Sequence, residues 1–273
     1  MIALQELPLA SSPPKANPLD ELQKTVSASR LNCWLSCRLK FRFRYLQQIS
    51  KPPTAALYVG TVVHAVLKAW NKARWRKEPF QTEVFKKLFD TEWQESQKNT
   101  TVKWDGEESS EKTQAWSLLE TYFLETPIKA NERPEAVEVP VEADLSSHGL
   151  PRLIGIIDLV RAGGRIVDFK TAAQTPQPEK TLHQNEVQLS GYATLYREAT
   201  GRKESGMELH HLVKLKTPKI VVTQTGPMTD QQRTRLFKLM DSYLSGLQRQ
   251  DFVPSPGLHC FGCEFFNECR KWC

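Results

Sequence analysis

Residues 155–171 read GIIDLVRAGGRIVDFKT: an apolar run, a Gly-Gly turn and a second apolar run, the pattern of a hairpin with buried strands. Side chains alternate between the faces of a strand, so Asp168 and Lys170, two apart, project together. Asp158 stands on the partner strand, ten residues before Asp168, and can meet it across the pair. Two convergent carboxylates suit a hard divalent cation. An adjacent ammonium can neutralise charge on a phosphate or help deprotonate a water. Taken alone, a D-x-K triplet equally suits solvated charges beside a turn. Here Ile156, Ile157, Ile166 and Val167 set the charges at the ends of buried strands, where unpaired carboxylates cost free energy.

Working outward, AVEVPVEADL after Pro134 alternates and predicts a further strand. Upstream, helical spacing appears in SASRLNCWLSCRLKFRFRYL, with Leu31, Trp34, Leu35 and Leu39 in step and Ser27 as cap. Helices are predicted over 57–76, 80–97 and 110–125, the last two separated by the polar loop NTTVKWDGEESS. Downstream, 184–200 and 229–250 read as helices and 208–216 and 219–225 as strands. Residues 1–24, rich in Pro, Ser and Ala, read as a flexible tail, with order beginning near Ser27. This succession predicts an α/β fold: a mixed central sheet flanked by helices, one domain over 25–256 with a helical N-terminal part. The Cys-rich segment 257–273 is too short and polar to fold alone.

The 273 residues suffice for a substantial core. Lys and Arg number 37 against 31 Asp and Glu, a formal charge of +6, which fits a polyanionic partner without requiring one. No run of apolar residues is long enough to span a bilayer. The N-terminus lacks the basic flank of a secretory signal, so a cytosolic address is expected. In that compartment the six cysteines read as metal ligands, redox groups or core residues rather than disulfides.

The 155–171 segment resembles the catalytic hairpin of the PD-(D/E)XK nuclease superfamily, in particular its RecB-like branch. Two further motifs follow that branch's order: Gly60-Thr-Val-Val-His64 upstream resembles its G-x-x-x-H helix, and Gln188-Leu-Ser-Gly-Tyr192 resembles its Q-x-x-x-Y helix. Residues four apart share a helix face, so the amide and phenol can act on one side together. The resemblance implies a restriction-endonuclease-like fold and hydrolysis of DNA. It implies that Asp158, Asp168, the Phe169 backbone carbonyl and His64 hold Mg²⁺ or Mn²⁺, that Lys170 works with the water, and that Gln188 and Tyr192 contact the lysine and the DNA strand. The acidic residue that often follows the histidine is missing here, where Lys68 and Ala69 stand instead. Single-stranded DNA ends as substrate, exonuclease or flap-type cleavage, and a helicase partner are further implications. The alternatives are a non-catalytic DNA-binding subunit of a helicase–nuclease complex, or a zinc-held thiolate module.

Cysteines occur at 33, 37, 260, 263, 269 and 273. Cys260-x2-Cys263-x5-Cys269 presents three thiolates at short range and leaves one ligand to be found. Iron–sulfur members of the branch take that ligand from an N-terminal helix with a similar S-x-S-x-L…C-x-x-K-F signature, which implies Cys37 and a 4Fe–4S cluster. Spacing alone also permits Zn²⁺, and His259 beside Cys260 adds to that side. Cys33, one turn before Cys37, and Cys273 are rival ligands. The basic and aromatic run Arg38–Tyr45, with Lys72, Arg74, Arg76 and Lys77, suits phosphate contact or a solvated helix face equally.

Overall fold

The 155–171 stretch forms the two central strands of a six-stranded sheet in the computed structural model, which describes residues 17–98, 101–104, 106–129 and 131–272. These strands, β3 (Arg152–Arg161) and β4 (Arg165–Ala172), are antiparallel, and Gly163 and Gly164 turn between them at φ of 80° and 74°. Only glycine adopts such angles without strain. Strand β2 (Ala136–Ala143) pairs antiparallel along the outer edge of β3, while β5 (Gly206–Val213) runs parallel to β4 and β6 (Lys219–Thr225) closes the far edge. A two-residue strand, β1 (Thr25–Val26), pairs in parallel with the start of β3.

Helices cover both faces because apolar side chains project from both sides of the strands. Ile157, Val160, Ile166, Met207 and Leu209 pack under α2 (Ala28–Ser36), α8 (Glu186–Thr200) and α9 (Asp230–Gln248). On the other face Leu159, Val167, Phe169 and Leu212 pack under α4 (Ala55–Arg76), α5 (Thr82–Lys98) and α6 (Glu108–Glu125). The predicted mixed sheet between helical layers is therefore what forms. Among the described residues, no helix is long and apolar enough to cross a membrane.

Three local readings differ from the structure. The predicted tail is helical over Pro18–Lys24 (α1), where Asn17 caps the start and Leu22 is buried. The Tyr243 hydroxyl donates to the Leu22 carbonyl at 3.0 Å, so tertiary contact orders a segment whose composition reads as loop. Residues 1–16 of that tail lie outside the described residues. The 184–200 helix starts at Glu186, after a separate short helix α7 (Pro178–Gln184). Third, the N-terminal helical run is broken: α2 is capped by Ser27 as expected but ends at Cys37, which is extended at φ −162° and ψ 116°. A new start follows in α3 (Arg38–Phe41), and a π-helical turn, Arg42–Leu46, completes the segment.

The C-terminal segment docks on that broken helix. Phe265 sits with Leu39 and Phe43 in a small apolar cluster. Lys40 and Arg44 both pair with Glu264, and Lys51 pairs with Glu268 at 2.6 Å. A last short helix, α10 (Phe266–Arg270), carries Cys269.

Trp34 of α2 seals the core against α9 at Gly246, where a β-carbon would run into the indole. Overpacking of this kind costs about 1–3 kcal/mol, more than the roughly 1 kcal/mol that alanine gains over glycine in a helix. Gly246→Ala is expected to lower the urea midpoint with an unchanged slope; an unaltered or raised midpoint would show that Trp34 yields freely.

Candidate active site

The paired residues of β3 and β4 are Arg161↔Arg165, Val160↔Ile166 and Leu159↔Val167, and there the ladder stops. At the other end of β3, β1 pairs only with Arg152 and Leu153. Residues 154–158 therefore have no strand partner on that edge, and Asp158 and Asp168 flank the gap. Phe169 loses the backbone partners that a continued ladder would supply, and two side chains take their place. Its N–H donates to Asp158 Oδ2 at 3.1 Å, and its carbonyl lies 2.9 Å from His64 Nε2. A buried peptide needs such substitutes.

Asp168 and Lys170 project together toward α8, as alternation requires. Lys170 Nζ lies 2.8 Å from Asp168 Oδ2 and donates to Gln188 Oε1 at 2.9 Å. The Gln188 amide nitrogen donates in turn to Asp168 Oδ1 at 2.8 Å and to the Tyr192 oxygen at 3.0 Å. One amide thus fixes the lysine, the aspartate and the phenol together. Burial, followed by the charges of Asp158 and Asp168, pushes the Tyr192 phenol well above its ordinary range, so it remains a proton donor.

His64 comes from the opposite face, on α4, and its Nδ1 stands 3.6 Å from Asp158 Oδ2. Asp158 is only 12% exposed. Burial and then the neighbouring Asp168 raise its carboxyl from 3.8 to about 6, with His64 opposing. Two carboxylates crowded into one partly dry place is an unfavourable arrangement for the chain alone.

Whether a divalent cation would suit this place is decided by the donors. Two carboxylates and a carbonyl are ligand types of Mg²⁺ or Mn²⁺, and the imidazole suits the transition metal of the two. Asp168 is 1% exposed, and its Oδ2 receives no well-directed hydrogen bond despite the nearby ammonium. The set fits by chemistry. As the side chains stand, no three His, Cys, Asp or Glu groups among the described residues converge tightly enough to hold an ion. Asp168 is turned to Lys170 and Gln188 instead.

A second constellation lies at the C-terminal clamp, where Cys37, Cys260, Cys263 and Cys269 line one small cavity beside Phe43 and Phe265. Burial, then the charges of the other three cysteines, push the Cys269 thiol upward. Cys33 does not join them. Cys33 is buried in the core instead, with its thiol pushed up to about 11 by burial. Cys273 lies outside the described residues.

Two features escape the sequence reading. Glu138 of β2 stands across from Asp158 by the register on either side (Val137↔Leu159, Val139↔Ile157). It adopts φ 44°, rare for a residue with a side chain, and accepts an ion pair from Lys68 at 2.6 Å. Nothing in AVEVPVEADL signals that angle. A buried network also underlies Phe169: Tyr122 meets His210 at 2.8 Å, His210 meets Glu208 at 2.9 Å, and Arg161 meets Glu208 at 3.0 Å. The rings of Tyr122 and His210 both pack edge-on against Phe169.

Residues 25–270 match the sequence profile of the PD-(D/E)XK nuclease superfamily, and the chain belongs to that superfamily. The crystal structure of a candidate exonuclease from Eubacterium rectale superposes with a TM-score of 0.60 at 13% identity, covering 96% of this chain and 94% of that one. At that identity the likeness shows a common restriction-endonuclease-like fold alone. The solved structure of SSO0001 matches at 12% identity over 93% of this chain and 94% of that one, with a TM-score of 0.43. No curated protein sequence matches.

The raised Asp158 carboxyl has a definite sign in stability. Folded and unfolded chains are alike below about pH 3, where both are protonated. Between 3.8 and about 6 the unfolded chain ionises first, so stability falls as pH rises. In chelator-treated protein, Asp158→Asn should be more stable than wild type at neutral pH by on the order of 2 kcal/mol and should converge with it near pH 3. Parallel urea-unfolding curves across that range would remove the assignment.

Proposed function

We propose that this protein is a divalent-metal-dependent deoxyribonuclease of the RecB-like branch, cleaving single-stranded ends as an exonuclease or flap-type enzyme in DNA repair, recombination or mobile-element processing. The observation that carries this reading is the Gln188 amide joining Lys170, Asp168 and Tyr192 beside the Asp158–Phe169–His64 contacts. A surface D-x-K pair would have no use for such an arrangement.

In this reading Asp158, Asp168, the Phe169 carbonyl and His64 hold Mg²⁺ or Mn²⁺, which when bound activates water and offsets charge on the phosphate. Lys170, held by Gln188, directs its ammonium at the oxygens on which negative charge develops. Tyr192, kept protonated, donates its hydroxyl to the strand. Gln188 and Tyr192 act by position, since an i, i+4 pair presents both groups to one side of α8. A non-catalytic DNA-gripping subunit would have no need of the lysine and both aspartates. A helicase partner is part of the proposal on resemblance alone.

The clamp is proposed to carry a 4Fe–4S cluster on Cys37, Cys260, Cys263 and Cys269, with Zn²⁺ as the alternative. Support comes from the common cavity and from the distance the clamp closes in sequence. Tying residue 37 to residues 260–269 restricts an unfolded loop of more than 200 residues, worth several kcal/mol by analogy with a disulfide, about 5 kcal/mol at most.

With end-labelled single strands and Mg²⁺, Asp168→Asn is expected to reduce cleavage on the order of a thousandfold or more while far-UV circular dichroism stays the same. Cleavage surviving that change in a clean preparation would sink the site. Protein purified without oxygen should be brown, absorbing broadly around 400 nm; Cys260→Ser should bleach it and Cys33→Ala should not. A colourless preparation containing zinc would replace the cluster by the alternative.

A further inference from the structure

A trough of about 820 Å³ runs along α4 beside the catalytic residues, with His64, Phe169 and Lys170 in its wall. A second cavity of about 480 Å³ continues it between α4 and α5, and the two share Ala69, Lys72 and Leu88. Together they follow α4 from Ala56 to Arg76, about 30 Å at 1.5 Å per residue. Within this length His64, Lys68, Lys72 and Arg76 recur every four residues. That period keeps them on one helix face, about 6 Å apart along the axis.

The walls differ in chemistry. Alanines and Gly60 keep the floor low, and Leu57 and Val84 leave large apolar surfaces exposed near its two ends. The cationic side is not uniformly available. Lys68 is committed to Glu138 at 2.6 Å, and Arg76 approaches Glu78 only at 3.7 Å with both side chains more than half exposed. Glu92 faces the trough from α5. Lys72 stands at the junction of the two cavities and makes no ion pair among the described residues. Exposed pairs such as Arg76–Glu78 are worth little, so a phosphate can take the arginine at small cost.

We infer that this trough is the seat of the substrate strand flanking the scissile phosphate, with Lys72 and Arg76 contacting successive backbone phosphates of single-stranded DNA and bases resting on the apolar floor. The inference rests on the nuclease reading and deepens it by naming where the strand lies. Three observations support that occupant over an apolar peptide: the trough opens directly onto Lys170, its cations are spaced along one line, and its apolar surface is broken into patches between them. Single-strand binding of this type combines a charged track with sequence-tolerant apolar contact. The Lys68–Glu138 pair would mark the trough's catalytic end, where an unneutralised Glu138 would repel phosphate.

The test uses the full-length chain with a fluorescent oligothymidylate long enough to fill the trough, in chelator so that cleavage plays no part. Lys72→Glu combined with Arg76→Glu should weaken binding by roughly tenfold or more. The same double variant should flatten the salt dependence, by about 0.7 in slope for every phosphate that is no longer neutralised. Lys238→Glu, exposed on α9 on the far face of the sheet, alters charge without touching the trough and should leave affinity near wild type. Equal weakening by both, or none by the double variant, would overturn the inference. A blunt duplex weakened as much as the single strand would overturn the single-strand assignment. Wild-type protein that binds through Lys72 and Arg76 yet cleaves nothing with Mg²⁺ would instead defeat the nuclease reading and leave the trough standing.

Discussion

The structure turns on the parting of β3 from β4 beyond Leu159↔Val167. A hairpin that stayed zipped would use Phe169's N–H and carbonyl in the ladder and leave Asp158 no gap to enter. Once the strands diverge, those backbone groups must find other partners, and they find Asp158 and His64. β4 is free to leave β3 because β5 holds it along all eight residues from Arg165 to Ala172. Its position is further set by the buried Tyr122–His210–Glu208–Arg161 network under Phe169.

This arrangement concentrates unfavourable electrostatics in one place. Asp158 and Asp168 are both largely buried and near each other, and Asp158 is hard to ionise as a result. Glu138 holds an uncommon backbone angle directly across the strand. Strain and crowded charge of this kind persist only where the surrounding core over-determines them. Two apolar layers on either side of the sheet supply that support.

The C-terminal clamp solves a different problem. Residues 257–272 bury little beyond Phe265, far too little to order a segment of that length. Ion pairs from Lys40, Arg44 and Lys51 to Glu264 and Glu268 locate the segment on the broken N-terminal helix. The basic run from Arg38 to Arg44, open between phosphate contact and solvated helix in the sequence, is therefore engaged partly by the chain's own acidic groups: Arg38 pairs with Asp251, and Lys40 and Arg44 with Glu264 of the tail.

What was legible in the sequence was whatever follows from a fixed local period. Two-residue alternation put Asp168 and Lys170 on one side, the four-residue period put Gln188 beside Tyr192, and alternating apolar runs announced a sheet between helical layers. The distant His64, singled out by resemblance alone, stands 2.9 Å from the Phe169 carbonyl. Tertiary structure decided most of the rest, where the feature depends on a partner far away in the chain. Pro18–Lys24 is helical because α9 offers it a surface; Cys37 lines the cavity of the docked tail while Cys33 sits in the core. Glu138 turns to meet Lys68, seventy residues earlier. Local periods fix which way a side chain points, but only the packed chain fixes what stands in front of it.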